Sequence, residues 1–160
     1  MKSLFLALAV FICTVAAAQS KSVSAVLNAY YKLKNELVAG NSSVSAAAAA
    51  ELKSAIEAVN NSNASAAEVK AFDPVKQKLQ ADASSVAASN DINKQRELFS
   101  SMSNNMISLA KAIKMSDQEI YVDYCSMKKS YWLSADKAIR NPYYGNKMLT
   151  CGNVKETIKQ

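Results

Sequence analysis

The chain has 160 residues, half of them apolar and only 20% charged, with a formal net charge of +6. That size and composition suit one folded domain and exclude a disordered chain, which lacks the apolar surface needed to offset ordering entropy. With no histidine and only three glycines, a Ser-His-Asp or Cys-His site, a histidine zinc site and a glycine-rich phosphate loop are excluded.

Residues 1–18 carry Lys2, an apolar run from Leu4 to Val15 and then Ala16-Ala17-Ala18. This is the pattern of a secretory signal peptide cleaved before Gln19. The apolar run is shorter than the roughly 20 residues of a membrane-spanning helix, so stable membrane insertion is not expected. Export places residues 19–160 in the periplasm or outside the cell as a single helical domain, with a bundle over 22–115 and a C-terminal cap over 116–160. Acidic and basic side chains balance as far as residue 127. Beyond it Lys128, Lys129, Lys137, Arg140, Lys147, Lys155 and Lys159 outnumber Asp136 and Glu156. An exported chain without a nucleic-acid-binding motif is not expected to bind DNA or RNA. The basic excess reads as a solvated face or as a contact for an acidic envelope partner.

Four apolar stripes of helical period follow. The first takes Val23, Val26, Leu27, Tyr30, Leu33 or the Lys34 stem, and Leu37, and stops at Gly40-Asn41, a helix-ending signature. The second starts near Ser43, takes Val44, Ala48, Leu52, Ala55, Ile56 and Val59, and ends in the asparagine cluster at 60–63. The third opens on Ser65 and Glu68 with capping-box spacing and runs through Val69, Phe72, Leu79, Ala83 and Val86. Asp73-Pro74 interrupts it, predicting a kink or a fresh start with Asp73 as N-cap. The fourth starts at Asn90-Asp91 and carries Ile92, Leu98, Phe99, Met102, Met106, Leu109 and Ile113. Its methionines, with Met115, read as core filler. The expected fold class is all-α: an up-and-down four-helix bundle with a loop-rich, aromatic C-terminal cap containing one short extended segment.

Specificity concentrates after Ser116, where Trp132, Cys125, Cys151 and most of the tyrosines lie. The β-branched and aromatic Ile120–Tyr124 run predicts the extended segment, and an extended chain would put Cys125 and Met127 on one face. Met148 and Cys151, three apart, would share one side of a helical turn. Soft sulfur donors select Cu(I) or Ag(I) over hard cations. Two cysteines in an exported domain also suit a disulfide; closing a loop of about 25 residues would stabilise by roughly 3 kcal/mol. Tyr131-Trp132-Leu133 and Pro142-Tyr143-Tyr144 are expected to pack the cap onto the bundle. A Cys125 nucleophile would lack a histidine base, and there is no Cys-x-x-Cys pair, so the chain is not expected to be an enzyme.

Residues 120–127, Tyr131-Trp132-Leu133-Ser134 and the run from Ile139 to Gly152 resemble the bacterial domain of unknown function 3347. The resemblance extends back to Lys94; the first two helices share only its general character. Tyr124-Cys125-Ser126-Met127 falls on the family's tyrosine-cysteine-proline-methionine motif, with Ser126 in place of the proline. Met148 to Gly152 falls on its methionine-leucine-threonine-cysteine-glycine motif. The resemblance implies an exported helical protein, and through the domain's occurrence on periplasmic adaptor subunits of heavy-metal efflux systems it implies copper or silver. The expected site is Cys125, Met127, Met148 and Cys151 around Cu(I) or Ag(I), for sequestration or for delivery to an efflux adaptor. The alternative is a disulfide-stapled helical interaction module of the cell envelope.

Overall fold

A computed structural model describes residues 20–159; the expected signal peptide lies outside them. Four helices come first, each with an end signal legible in the chain. α1 (Lys21–Ala39) begins at Ser20, whose side chain accepts from the Val23 N–H, and ends at Gly40, left-handed at φ 83°, whose N–H donates to the Glu36 carbonyl. α2 (Ser42–Ala58) is capped by Asn41. α3 (Ala66–Ala87) opens on the complete Ser65/Glu68 capping box, and α4 (Ile92–Ala112) on Asp91.

Pro74 does not restart α3, which runs through it. The carbonyl that loses its helical donor at the proline belongs to Lys70, an exposed residue, and can be hydrated. The cost of the missing bond is thereby reduced. Each helix packs on the next in sequence. The predicted stripes form the core: Val23, Leu27, Tyr30, Leu33 and Leu37 of α1 meet Ala48, Ala49, Leu52 and Ile56 of α2, with Phe72, Leu79, Phe99, Met102 and Met106 also buried. Ala48 and Ala49 are the two alanines of α2 in that buried core. Met115 is buried as well, as core filler.

The C-terminal region departs from expectation. It holds three strands rather than one extended segment, so the molecule is mostly helical with a small sheet and not all-α. β1 (Ile120–Cys125), β2 (Ser130–Ser134) and β3 (Asn153–Ile158) form an antiparallel sheet in the order β2-β1-β3. Tyr121 lies opposite Ser134 and Cys125 opposite Ser130; on the other side Ile120 faces Ile158 and Tyr124 faces Asn153, with a bulge at Val122/Asp123. A lone strand leaves its backbone polar groups unpaired, so β1 requires partners. The segments flanking the turns at residues 126–129 and 148–150 supply them.

α4 packs against β2, and the 3-10 turn η1 (Gly145–Lys147) packs against α1. Aromatic rings fill the junction. Tyr30 stacks on Phe99 with centroids 5.1 Å apart, Phe99 meets Tyr143, and Tyr143 meets Trp132 edge-on. Tyr30 Oη lies 2.8 Å from Ser103 Oγ and accepts from the Leu133 N–H at 3.1 Å, tying α1 to α4 and β2. Trp132 and Tyr143 are thus packing residues, as expected, but Trp132 sits in a strand and not in a loop.

Candidate functional site

The two cysteines meet although 25 residues separate them in the sequence. Cys125 is the last residue of β1 and is fully buried. Cys151 precedes β3, and the β1/β3 register that sets Tyr124 opposite Asn153 brings it alongside. Their Sγ atoms lie 3.3 Å apart as free thiols. Gly152 makes the approach possible: at φ 149°, a Cβ there would lie 2.9 Å from Trp132 Cη2 and 3.0 Å from the Tyr124 carbonyl oxygen.

Asn141 holds the loop that delivers Cys151. Its Nδ2 donates to the Cys151 carbonyl at 2.6 Å, its Oδ1 accepts from the N–H groups of Tyr143 and Tyr144, and its own N–H donates to the Leu149 carbonyl. The side chain is fully buried. Sequence reasoning passed over this residue. The available signal was the Asn-Pro pair at 141–142, a turn-initiating combination.

The thiols differ electrostatically. Burial pushes the Cys125 pKa up, but the backbone N–H of Lys128, the Cys151 thiol, the Asn141 side chain and the Met127 backbone together outweigh it, and the net direction is downward. The Lys128 N–H is 3.5 Å from Cys125 Sγ. Cys151 moves upward, through its hydrogen bond to Cys125, then burial, then the neighbouring charge. The pair therefore favours a Cys125 thiolate accepting from a Cys151 thiol.

The methionines do not take the arrangement the sequence predicted. β1 ends at Cys125, so Met127 falls in the 126–129 turn and not on a strand face shared with Cys125; it is 64% exposed. Lys129, at φ 56°, tightens that turn. Met148 is half-buried in a turn rather than a helix, and its carbonyl accepts from the Cys151 N–H at 3.1 Å. Neither thioether belongs to the buried core.

The donor set can be tested against candidate ions. Among the described residues no group of three or more His, Cys, Asp or Glu side chains is arranged to hold a metal, which disfavours ions that need four hard or borderline ligands. Two thiolates suit a soft monovalent ion. Metal–thiolate bonds of about 2.3 Å hold two sulfurs roughly 3.7–4.6 Å apart, from tetrahedral to linear, whereas a disulfide needs about 2.05 Å. The observed 3.3 Å lies between these, so a modest movement in either direction reaches one of them.

A model of the family described as "Protein of unknown function (DUF3347)" matches residues 26–118, more than half of the chain. The chain belongs to the DUF3347 family. The match runs from α1 to just past α4 and stops before β1. The DUF3347 match therefore covers the helices, whereas the resemblance read from the motifs lay chiefly from Lys94 onward. The thiol pair falls beyond the matched residues and stands on geometry alone. No curated protein and no solved structure matches the chain.

Proposed function

We propose that this protein is a non-enzymatic carrier of Cu(I) or Ag(I) in the periplasm, presenting Cys125 and Cys151 from the sheet packed against α4 of an up-and-down helical bundle. The observation that carries the reading is the 3.3 Å approach of two free thiols, one of them held as the more acidic partner. Thiolates are the metal-binding form of cysteine, and a depressed Cys125 pKa raises the thiolate fraction. Met148, beside Cys151 in the same turn, and the exposed Met127 would supply thioether ligands. Either a pool of sequestered metal or handover to a heavy-metal efflux adaptor fits a site with one sulfur near the surface.

Titrating the reduced protein with Cu(I) against a competing chelator tests this. Competition by the wild type, lost in Cys125→Ser/Cys151→Ser, is the expected result; absence of competition by the wild type removes the proposal.

The same separation favours a second reading, a disulfide-stapled envelope interaction module. Closing from 3.3 Å to about 2.05 Å is a small movement. Intact mass after alkylation, with and without reductant, separates the two. A bond that persists in mild reductant supports the staple, and free alkylated thiols support the metal carrier.

A further inference from the structure

A cavity of about 330 Å³ opens between α4 and the C-terminal region, lined by Arg96 and Glu97 of α4, Lys128 of the β1–β2 turn, Tyr143, Tyr144 and Lys147. Its volume falls in the range of small-molecule sites, about 300–1,000 Å³. Three of these residues are cationic. Arg96 is only 8% exposed, and burial pulls its pKa down with no carboxylate to offset the effect. Its Nε and Nη2 donate to the Leu37 carbonyl in the last turn of α1, satisfying a helix end. Nη1 makes no such bond among the described residues.

Lys128 and Lys147 likewise have no carboxylate partner among the described residues. The one acid in the wall, Glu97, lies 3.7 Å from Lys94 on the surface. The cavity thus sets a buried guanidinium beneath the half-buried Lys128 and the exposed Lys147 at its mouth, against Tyr143 and Tyr144. Burying the Arg96 guanidinium without an anion is unfavourable, and its planar geometry matches phosphate and carboxylate oxygens.

We infer that this cavity binds a small oxyanion, a phosphate or a carboxylate, through Arg96, Lys128 and Lys147. The site is separate from the proposed sulfur ligands, and the inference does not rest on metal binding. It accounts for part of the basic excess that the sequence concentrates beyond residue 127.

The test is a calorimetric titration of metal-free, reduced protein with inorganic phosphate in one arm and benzoate in the other, at ionic strength held constant with chloride. Saturable binding is expected in at least one arm. Phosphate alone identifies a phosphate-type ligand; tighter benzoate binding identifies a carboxylate carried on an apolar group against Tyr143 and Tyr144. Lys128→Ala/Lys147→Ala should weaken binding at least about tenfold, the loss on removing one charge-assisted hydrogen bond. Lys21→Ala/Lys70→Ala removes the same charge from distant exposed helix positions and should leave binding unchanged. No saturation in either arm, or equal loss in both lysine pairs, overturns the inference.

Discussion

Asp123 sits fully buried in the middle of β1, both carboxylate oxygens lacking a hydrogen-bond partner. Burial raises its pKa to about 7, against the pull of the Lys34 charge and of the Trp132 indole, whose Nε1 faces it without closing a hydrogen bond. The folded-state value lies above the unfolded one, so the protonated form favours folding. That stabilisation is complete below about pH 4 and is lost as pH rises through about 7. Glu68 runs the other way. Burial alone would raise it, but hydrogen bonds from Ser65 and Ser20 hold it below the ordinary range, so its contribution disappears only in acid. Because the chain has no histidine, Asp123 is the carboxyl group that titrates within the window from pH 5 to 8. Thermal midpoints followed by circular dichroism should fall across that window. Asp123→Asn should flatten the profile and melt above the wild type at pH 8; each ~1 kcal/mol recovered reads as about 2–4 °C in a chain of this size. An unchanged slope would show that Asp123 is not the titrating group.

Two glycines in left-handed conformations differ in what surrounds them. Gly40, ending α1 at φ 83°, has only Arg96 Nη2 near a hypothetical Cβ, at 3.5 Å. Gly145, opening η1 at φ 55°, would drive a Cβ into Arg96 Nη2 and to 2.7 Å from the Val38 carbonyl oxygen. Both alanine variants incur the left-handed penalty of about 1–2 kcal/mol, and only Gly145→Ala adds a clash with backbone. Chemical denaturation should therefore rank Gly145→Ala as clearly the less stable of the two; equal losses would mean that η1 moves freely away from α1. At the start of α3, Ser65→Ala removes the side chain that accepts from the Glu68 N–H at 3.3 Å. The expected cost is ~1 kcal/mol in the same measurement.

At the scale of the whole molecule, one hydroxyl ties helices to sheet. Tyr30 Oη joins Ser103 on α4 and the Leu133 N–H on β2. Tyr30→Phe keeps the stack on Phe99 and leaves that buried N–H unpaired, a loss of roughly 1–3 kcal/mol. Amide exchange should then accelerate at Leu133 before it does in α2 and α3. Uniform acceleration across the fold would place the weakness elsewhere.

The helices were legible because their instructions are local. Ser65 with Glu68, Asn41, Asp91 and Gly40 mark ends through bonds that reach no more than four residues, and the apolar stripes mark the buried faces through the 3.6-residue period. The sheet was only partly legible. Ile120–Cys125 carries its own β propensity, but Asn153–Ile158 is an exposed and half-buried edge that is extended because β1 pairs with it. The same distinction applies to the site. Sequence alone nominated Cys125 and Cys151 and supplied soft donors without histidine. Their meeting at 3.3 Å was decided by a β1/β3 register, by the loop pinned at Asn141 and by the close approach that Gly152 allows. Local preferences act over a few bonds and can be read in order along the chain; contacts between residues 25 or more apart are fixed only when the packed core leaves one arrangement in which every buried backbone group finds a partner.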